Sequence, residues 1–573
     1  MTHERNPAPP VSTPRRRLAP ALLRLAAALG LLGATALAQA QTVCPGLVVT
    51  PANSTVLITT NVFYDATFSV SNGNGGCTVT DVTTQALWTS SAPATAAFLN
   101  PNTPYEATAQ AAGTTTITAS YTVPGAGTFT ANTPLTVNPP LGAMAGLTPN
   151  QKSVGQALDT VCPRLAAIYN SDNPPPPEPA ALLGHCNGIL LDPNPVTRAA
   201  ALSAIGGQDF TSFQSQTLMF AQSHTANVLD RMMALRSGAR GLNVADLTLD
   251  TANGPVSLAE LFGIARDALG GGASADAAPD GLLSDKLGLW LRGTYGKGSK
   301  SASTADNGFD GHQVTATFGG DYRVGSQSVL GLAFSLARAG IGFRTVGGGL
   351  DTHAFNGSLY GSGYLYKNLY VDGLVNYGHD SYTTTRHIVY VESGSTVDET
   401  AVGETTGGTW NGTLSFGYDV ALGGLTVTPM VGYAYLRSTI SSFTETGATG
   451  LNLSIDEQTI KSSTANVGLQ MNLAWNTSIG VILPHLRAQW IHEFDSAAPL
   501  LGMHFAADPL GGTDAQIIVQ GDPPNSSYWK LAGGASVQFK HGVAGYIEYQ
   551  RLQGYGAGSY GDLTAGLRVQ THF

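Results

Sequence analysis

Beyond Asp285, apolar and polar positions alternate with a period of two. The chain closes on "DLTAGLRVQTHF", in which Leu563, Ala565, Leu567, Val569, Thr571 and Phe573 fall on one face and Asp562, Thr564, Gly566, Arg568, Gln570 and His572 on the other. Successive side chains of a strand point to opposite sides of its sheet, so this segment predicts a strand with one apolar and one polar face. The pattern is cleanest where Leu414, Phe416, Tyr418, Val420 and Leu422 oppose Thr413, Ser415, Gly417, Asp419 and Ala421. Twelve segments alternate in this way, at 287–299, 309–323, 327–339, 352–366, 368–381, 406–421, 424–437, 460–474, 479–494, 527–541, 543–552 and 562–573. A tilted strand crosses a bilayer in about 9–11 residues, a length these segments supply.

The connections decide what the strands build. They alternate between long stretches near 300–308, 340–351, 382–405, 438–459 and 495–526 and short ones near 324–326, 367, 422–423, 475–478 and 542. A sandwich has no reason for that regularity. A transmembrane barrel does, with short turns on one side of the membrane and long loops on the other. Pro429 and Pro484 fall inside predicted strands, where each removes a ladder hydrogen bond.

Upstream the pattern changes twice. Residues 42–138 are rich in Thr, Val and Ala in short runs separated by turn residues, as in an all-β sandwich. "NPPLGAMAGLTPNQ" reads as a linker. From about 153 to 241 apolar residues recur at helical spacing, as in Leu218, Ala221, Val228, Leu229, Met232 and Leu235, interrupted by "SDNPPPPEPA". A further short helix is expected over 257–269, with Ser257 as N-cap and Glu260 at capping-box spacing, before the flexible "GGGASADAAPDG".

Composition narrows the class. Only 12% of residues are charged, against a globular norm of about 25%. The net charge of -10 excludes the clustered basic surface that nucleic acid requires. Arg15, Arg16 and Arg17 precede an apolar run ending in Ala38, Gln39 and Ala40, which predicts a secretory signal peptide cleaved before Gln41. No other stretch is long and apolar enough for a transmembrane helix. The four cysteines, Cys44, Cys77, Cys162 and Cys186, lie in the first third, and in an exported chain an even count implies disulfides. Four cysteines allow three connectivities; proximity in sequence favours Cys44 with Cys77 and Cys162 with Cys186.

Two segments resemble known families. "ALWTSSAPATAAFLN", "YEATAQAAGTTTITASYT" and "PLTV" are similar to the bacterial immunoglobulin-like group 2 domain. The resemblance implies Trp88 in the core, a tight turn at Gly113 and an inward Ile117. "GLWLRGTYGKG", "GYDVALGGLTVTPMVGYAYLRS", "FTETGATGLNLSIDEQT", "PHLRAQWIHEF" and "AGLRVQTHF" resemble, in order, blocks of the autotransporter β-domain. That resemblance spans nearly all of 285–573 and implies recognition of the last strand, with Phe573, Val569 and Leu567, by the barrel-assembly machinery.

No enzyme signature appears: no G-x-S-x-G elbow, no H-E-x-x-H, no Walker loop. His492 and Glu493 are adjacent on a strand and so point to opposite faces. On the alternation, Arg292, Asp372, Asp419, Arg487, Glu548 and Arg568 face the lumen, because lipid exposure would cost an Arg several kcal/mol near the midplane. A helix threading the barrel would meet them; 214–236 and 257–269 are both candidates.

The expectation is an all-β protein with a helical linker. Residues 1–40 form a signal peptide, 42–138 an immunoglobulin-like β-sandwich, 150–284 a helical linker region with a candidate pore helix, and 285–573 a twelve-stranded antiparallel transmembrane β-barrel. The implied function is surface export of the chain's own N-terminal passenger, for adhesion, without catalysis, cofactor or metal. The implied partners are outer-membrane lipid, the barrel-assembly machinery and a surface ligand of unspecified chemistry; the chain is expected to be a monomer that binds no nucleic acid. A porin-like channel with a periplasmic N-terminal domain and a surface-displayed hydrolase are the other classes the sequence leaves open.

Overall fold

A computed structural model describes residues 44, 46–72, 76–169, 174–236, 248–251, 254–257, 287–325, 327–478, 480–539, 543–555 and 558–569. Ala38, Ala40, Gln41, Phe573 and the expected helix beyond Ser257 lie outside the described residues. Ser257 itself closes a short strand, Gly254–Ser257, paired antiparallel with Thr248–Thr251.

The twelve strands of the C-terminal half are Leu287–Lys300, Phe309–Val324, Ser328–Phe343, Gly348–Tyr366, Leu369–Glu392, Ser395–Tyr418, Leu425–Ile440, Gln458–Leu473, Gly480–Glu493, Ser527–Phe539, Val543–Gln553 and Gly558–Val569. Each pairs antiparallel with its sequence neighbour, and the first pairs with the last from Leu291↔Leu567 to Lys300↔Gly558, closing the barrel. Closure removes both sheet edges, which is what lets a sheet span a membrane. Outward positions carry a belt of exposed apolar side chains, among them Leu291, Val314, Leu336, Leu359, Val467 and Ile547. Inward positions such as Gln313, Thr317, Ser335 and Thr352 are polar and buried. Pro429 and Pro484 stay in register, opposite Leu469 and Ala535, each four residues after the start of its strand. Among the described residues no helix is long and apolar enough to cross a membrane; that statement does not bear on strands.

The largest departure from the expected boundaries is at 382–405, read above as a long loop. There the fifth and sixth strands simply continue, paired without a break from Leu369↔Tyr418 to Glu392↔Ser395. Each of these strands has 24 residues, about 80 Å of chain at about 3.3 Å per residue, far more than a bilayer requires. The stretch is rich in Thr, Val, Ile and Tyr and keeps its alternation, so nothing local ends it at the membrane surface. It turns at Ser393 and Gly394, whose φ values of 48° and 82° suit a tight hairpin.

This tall hairpin forms one wall of a cap over the long-loop end. The helices α1 (Pro149–Ile168), α2 (Pro177–Leu190) and α3 (Pro195–Ile205) form another. Each starts on proline, whose missing N–H costs nothing in a first turn. Thr148 adds a capping box to α1: its hydroxyl accepts from the Gln151 N–H, and the Gln151 side chain accepts from the Thr148 N–H at 2.8 Å. The Cys162–Cys186 disulfide ties α1 to α2. A four-stranded sheet of Phe443–Thr444, Leu453–Ile455, Leu500–Phe505 and Ile517–Gln520, drawn from two of the long connections, completes the cap. Leu158 and Leu165 of α1, Leu182 of α2, Leu202 of α3, and Leu453, Met503 and Phe505 of the sheet share one core with Ile388 and Tyr390 of the hairpin. Residues 150–205 therefore do not act as a tether. Their apolar stripes match apolar loop segments some 250 to 350 residues away, a pairing that sequence spacing does not reveal.

Residues 46–138 form three small sheets around a separate core of Tyr64, Phe68, Trp88, Ile117 and Leu135. The Trp88 indole N–H donates to the Thr83 carbonyl at 3.0 Å, satisfying its polar edge inside the core. Gly113, at φ 151°, opens the strand Gly113–Val123, and Ile117 is wholly buried. The Cys44–Cys77 disulfide joins the start of this region to its fifth strand, Cys77–Asp81. Asn138, at the end of the region, donates to the carbonyls of Leu190 and Asp192 beside α2 at 2.9 and 3.0 Å.

Candidate functional site

The helix that fills the barrel is α4 (Ser212–Arg236), the first of the two candidates. Its 25 residues reach about 37 Å, enough to traverse the membrane-spanning wall. It is buried along most of its length and yet carries polar residues on most of its faces, unlike an ordinary core helix. Ser223, His224, Thr225, Asn227, Asp230 and Arg231 are all buried and all matched by inward polar groups of the strands.

The matching runs down the helix in layers. At the upper end the Thr217 hydroxyl lies 3.2 Å from that of Tyr382 in the tall hairpin, and the Thr352 hydroxyl donates to Gln216 at 2.9 Å. Midway, His224 sits between the hydroxyls of Ser335 and Ser358. Asn227 donates to Thr317 at 3.0 Å and accepts from Thr294 at 2.9 Å, and Asn411 donates to Thr225 at 2.7 Å. Lower down, Arg231 forms a bidentate pair with Asp321 at 2.7 and 3.1 Å. The Tyr360 hydroxyl donates to the same carboxylate at 3.2 Å and accepts from the Trp290 indole at 2.8 Å. At the last turn Arg236 pairs with Asp372, and its guanidinium lies 3.7 Å above the centre of the Tyr370 ring.

Asp230 is the most heavily engaged group. One oxygen accepts from both terminal nitrogens of Arg487 at 3.1 Å, and the other accepts from the Tyr546 hydroxyl at 2.9 Å. Arg292 adds an ion pair at 3.3 Å without hydrogen-bond geometry, its guanidinium resting 4.4 Å above the Tyr546 ring. Arg487 also donates to Glu548 at 3.2 Å, and Glu548 contacts His485 at 2.6 Å. A buried charge is tolerable only when paired and hydrogen-bonded, and here the partners come from the helix and three strands at once.

Of the six residues expected in the lumen, Arg292, Asp372, Arg487 and Glu548 are buried against α4 or its ion pairs. Asp419 lies just past the sixth strand at the short-turn end, where it accepts from the Tyr364 and Thr428 hydroxyls at 2.7 and 2.6 Å and does not meet the helix. Arg568 occupies the last strand opposite Ala544, and its side chain lies outside the described residues, as do those of Leu567 and Val569. His492 packs outward on Trp490 and Phe494, while Glu493 turns inward and accepts from the Ser462 hydroxyl and the Ser463 N–H. The helix side of the network, Asp230, Arg231 and Arg236, was not singled out from sequence. The available signal was an apolar stripe broken by polar residues on all remaining faces, a pattern that only a polar interior accommodates.

The helix has a direction. Just before its N-terminus Thr211 donates to Asp306, in the long connection after the first strand, and Lys300 pairs with the same carboxylate at 2.6 Å. Its C-terminal Arg236 lies beside Tyr370, next to the short turn at Lys367 and Asn368. The chain thus passes through the barrel from the long-loop end to the short-turn end. Among the described residues no three of His, Cys, Asp and Glu gather where a metal ion would be held. The site's chemistry is the holding of a chain segment.

Comparison with known proteins agrees with this geometry. The family model described as the autotransporter beta-domain matches residues 289–550. Outer membrane protein B of Rickettsia rickettsii is 24% identical over 313 residues, covering 54% of this chain and 18% of that protein. Outer membrane protein A of Rickettsia conorii is 25% identical over 215 residues, covering 36% and 11%. The chain spans less than a fifth of the length of these curated relatives. Among solved structures, the translocator domain of the autotransporter NalP from Neisseria meningitidis aligns with 51% of this chain and 89% of its own, at 16% identity and a TM-score of 0.39. The beta domain of the Bordetella autotransporter BrkA aligns with 50% and 99%, at 18% identity and a TM-score of 0.36. Residues 289–550 match the autotransporter beta-domain, and the C-terminal half of this chain is a closed barrel of the outer-membrane kind.

Proposed function

We propose that the barrel exports the N-terminal part of its own chain to the cell surface, where residues 42–138 act as an immunoglobulin-like adhesion module. The observation that carries this reading is the direction of α4: its N-terminal end emerges among the long loops, on the side where α1 to α3 pack. In outer-membrane barrels the long loops are external and the short turns periplasmic. A porin with a periplasmic N-terminal domain would need the opposite direction. Adhesion rests on the fold of the module, which hosts binding more often than catalysis, and on the absence of a catalytic motif in the sequence. The assembly partners are outer-membrane lipid and the barrel-assembly machinery, which would read the last strand through Leu567, Val569 and Phe573. The chain acts as a monomer and binds a surface ligand. Protease shaving of intact cells, followed with antibodies against 46–138 and against the barrel, tests the export step. Release of the N-terminal fragment while the barrel survives is expected. Protection until the outer membrane is permeabilised would refute it.

A further inference from the structure

The helix does not fill the lumen evenly. On the first five strands Gln313, Thr315, Thr317, Ser335, Thr352 and Asn376 are at most 1% exposed, sealed against α4. On the sixth to tenth strands the inward Thr413, Ser415, Ser462, Thr464, Asn466 and Gln489 keep part of their surface open to solvent. Between them and the Leu218, Gln222, Thr225 and Leu229 side of the helix runs a cleft of about 140 Å³. Two glycines keep it clear. A Cβ at Gly432 would lie 2.8 Å from the Asn466 amide, and one at Gly468 would lie 2.7 Å from Gln489 Cγ, so both long side chains lie flat over bare backbone instead of reaching across.

Apolar side chains such as Leu218, Leu229, Leu436 and Ile491 share the lining with hydroxyl and amide groups, and the polar groups are neutral with one exception. Lys530 is the only charged side chain among the lining residues and makes no ion pair with a described carboxylate. The carboxylates of Asp230 and Glu548 are occupied by Arg487, Arg292 and His485, and Asp562 accepts from Gln550. The Thr413 hydroxyl also has no protein partner. Near the cleft a second hollow opens among the long loops, lined by Leu218, Gln222 and Leu552, which it shares with the first, and by Lys300 and Tyr555.

We propose that this cleft is a side lane through which small hydrated anions cross the barrel while α4 remains in place, with Lys530 setting the sign of selectivity. A lone cation on a wall of neutral dipoles lowers the local potential for anions and raises it for cations, and a low-dielectric barrel focuses that field along the lane. The inference needs only the barrel and α4. Protease protection of the N-terminal module would therefore sink the export reading and leave this one standing.

The test is ion conduction by the full-length protein in planar lipid bilayers under a tenfold KCl gradient, with folding verified by heat-modifiable mobility. A small steady conductance with a reversal potential of anionic sign is expected. Lys530→Gln should bring that potential close to zero, and Lys530→Glu should reverse it. As a second readout, Asn466→Cys should react with a charged thiosulfonate and lose conductance severalfold, whereas Thr317→Cys, on the sealed wall, should not react. Silence of the folded full-length protein, a cationic native sign, or a sign unmoved by Lys530→Glu would each overturn the proposal.

Discussion

Replacing Asp230 by alanine is the sharpest probe of what holds the helix in the barrel. The carboxylate engages Arg487 through two contacts at 3.1 Å, Tyr546 at 2.9 Å and Arg292 at 3.3 Å, and both arginines are buried. Removing one member of a buried pair costs about 3–5 kcal/mol, because the remaining charge is left without compensation. Glu548 still neutralises Arg487, so the lower end, about 3 kcal/mol, applies. At about 1.4 kcal/mol per decade, the population with the helix displaced rises roughly 100-fold. Single-channel recording reads this directly, as the fraction of time spent in large-conductance openings. Asp230→Asn should fall between, since an amide still accepts one hydrogen bond from Arg487. Asp230→Leu combined with Arg487→Met should recover most of the loss by removing charge from both sides. Openings as rare in Asp230→Ala as in the native protein would refute the assignment of α4 as an electrostatically anchored plug.

Three further predictions concern the cap. Arg386 and Glu445 form a pair whose side chains are 1% and 0% exposed; Glu445→Ala leaves Arg386 with only the carbonyls of Leu451 and Ile205, and a loss of about 3–5 kcal/mol is expected as faster hydrogen exchange over 382–392 and 443–455, with Arg386→Met, Glu445→Leu close to native. Burial pushes the Asp209 carboxyl up from 3.8 to about 6 despite a hydrogen bond from Asn307. Its folded form therefore binds the proton more tightly than its unfolded form, so its contribution is fully present below about pH 4 and is lost as pH rises through about 6. The difference amounts to about 3 kcal/mol at 1.36 kcal/mol per unit. Cap protection should be greater at pH 5 than at pH 7.5, and Asp209→Asn should flatten that profile. Replacing Cys162 and Cys186 by alanine opens a loop of 24 residues, for which the chain-entropy model gives about 3.5 kcal/mol; an unchanged cap melting temperature would contradict it.

Much of the barrel was legible because its signal is local. In Leu414 to Leu422, each residue's polarity reports which side of the sheet it faces, and no distant partner is needed to read it. The same logic put Arg292, Asp372, Arg487 and Glu548 inside. Asp419, one residue beyond its strand, keeps the same inward sense onto Tyr364 and Thr428, but at the short-turn rim instead of against α4. The fifth strand was ended too early, since bilayer thickness was used as a stop signal that the backbone at 382–392 does not contain.

The sequence by itself determined the number and polarity of the strands and the apolar stripes of the helices, which follow from residue spacing over a few turns or pleats. Only the tertiary structure decided which helix enters the pore, which way it runs, and that α1 to α3 close over the mouth with loops hundreds of residues later. Those outcomes depend on pairings such as Arg231 with Asp321 and Asp230 with Arg487, and on Leu182 and Leu453 joining one core. Their energy arises only when the two partners are desolvated together, and the spacing of either partner along the chain carries no trace of it.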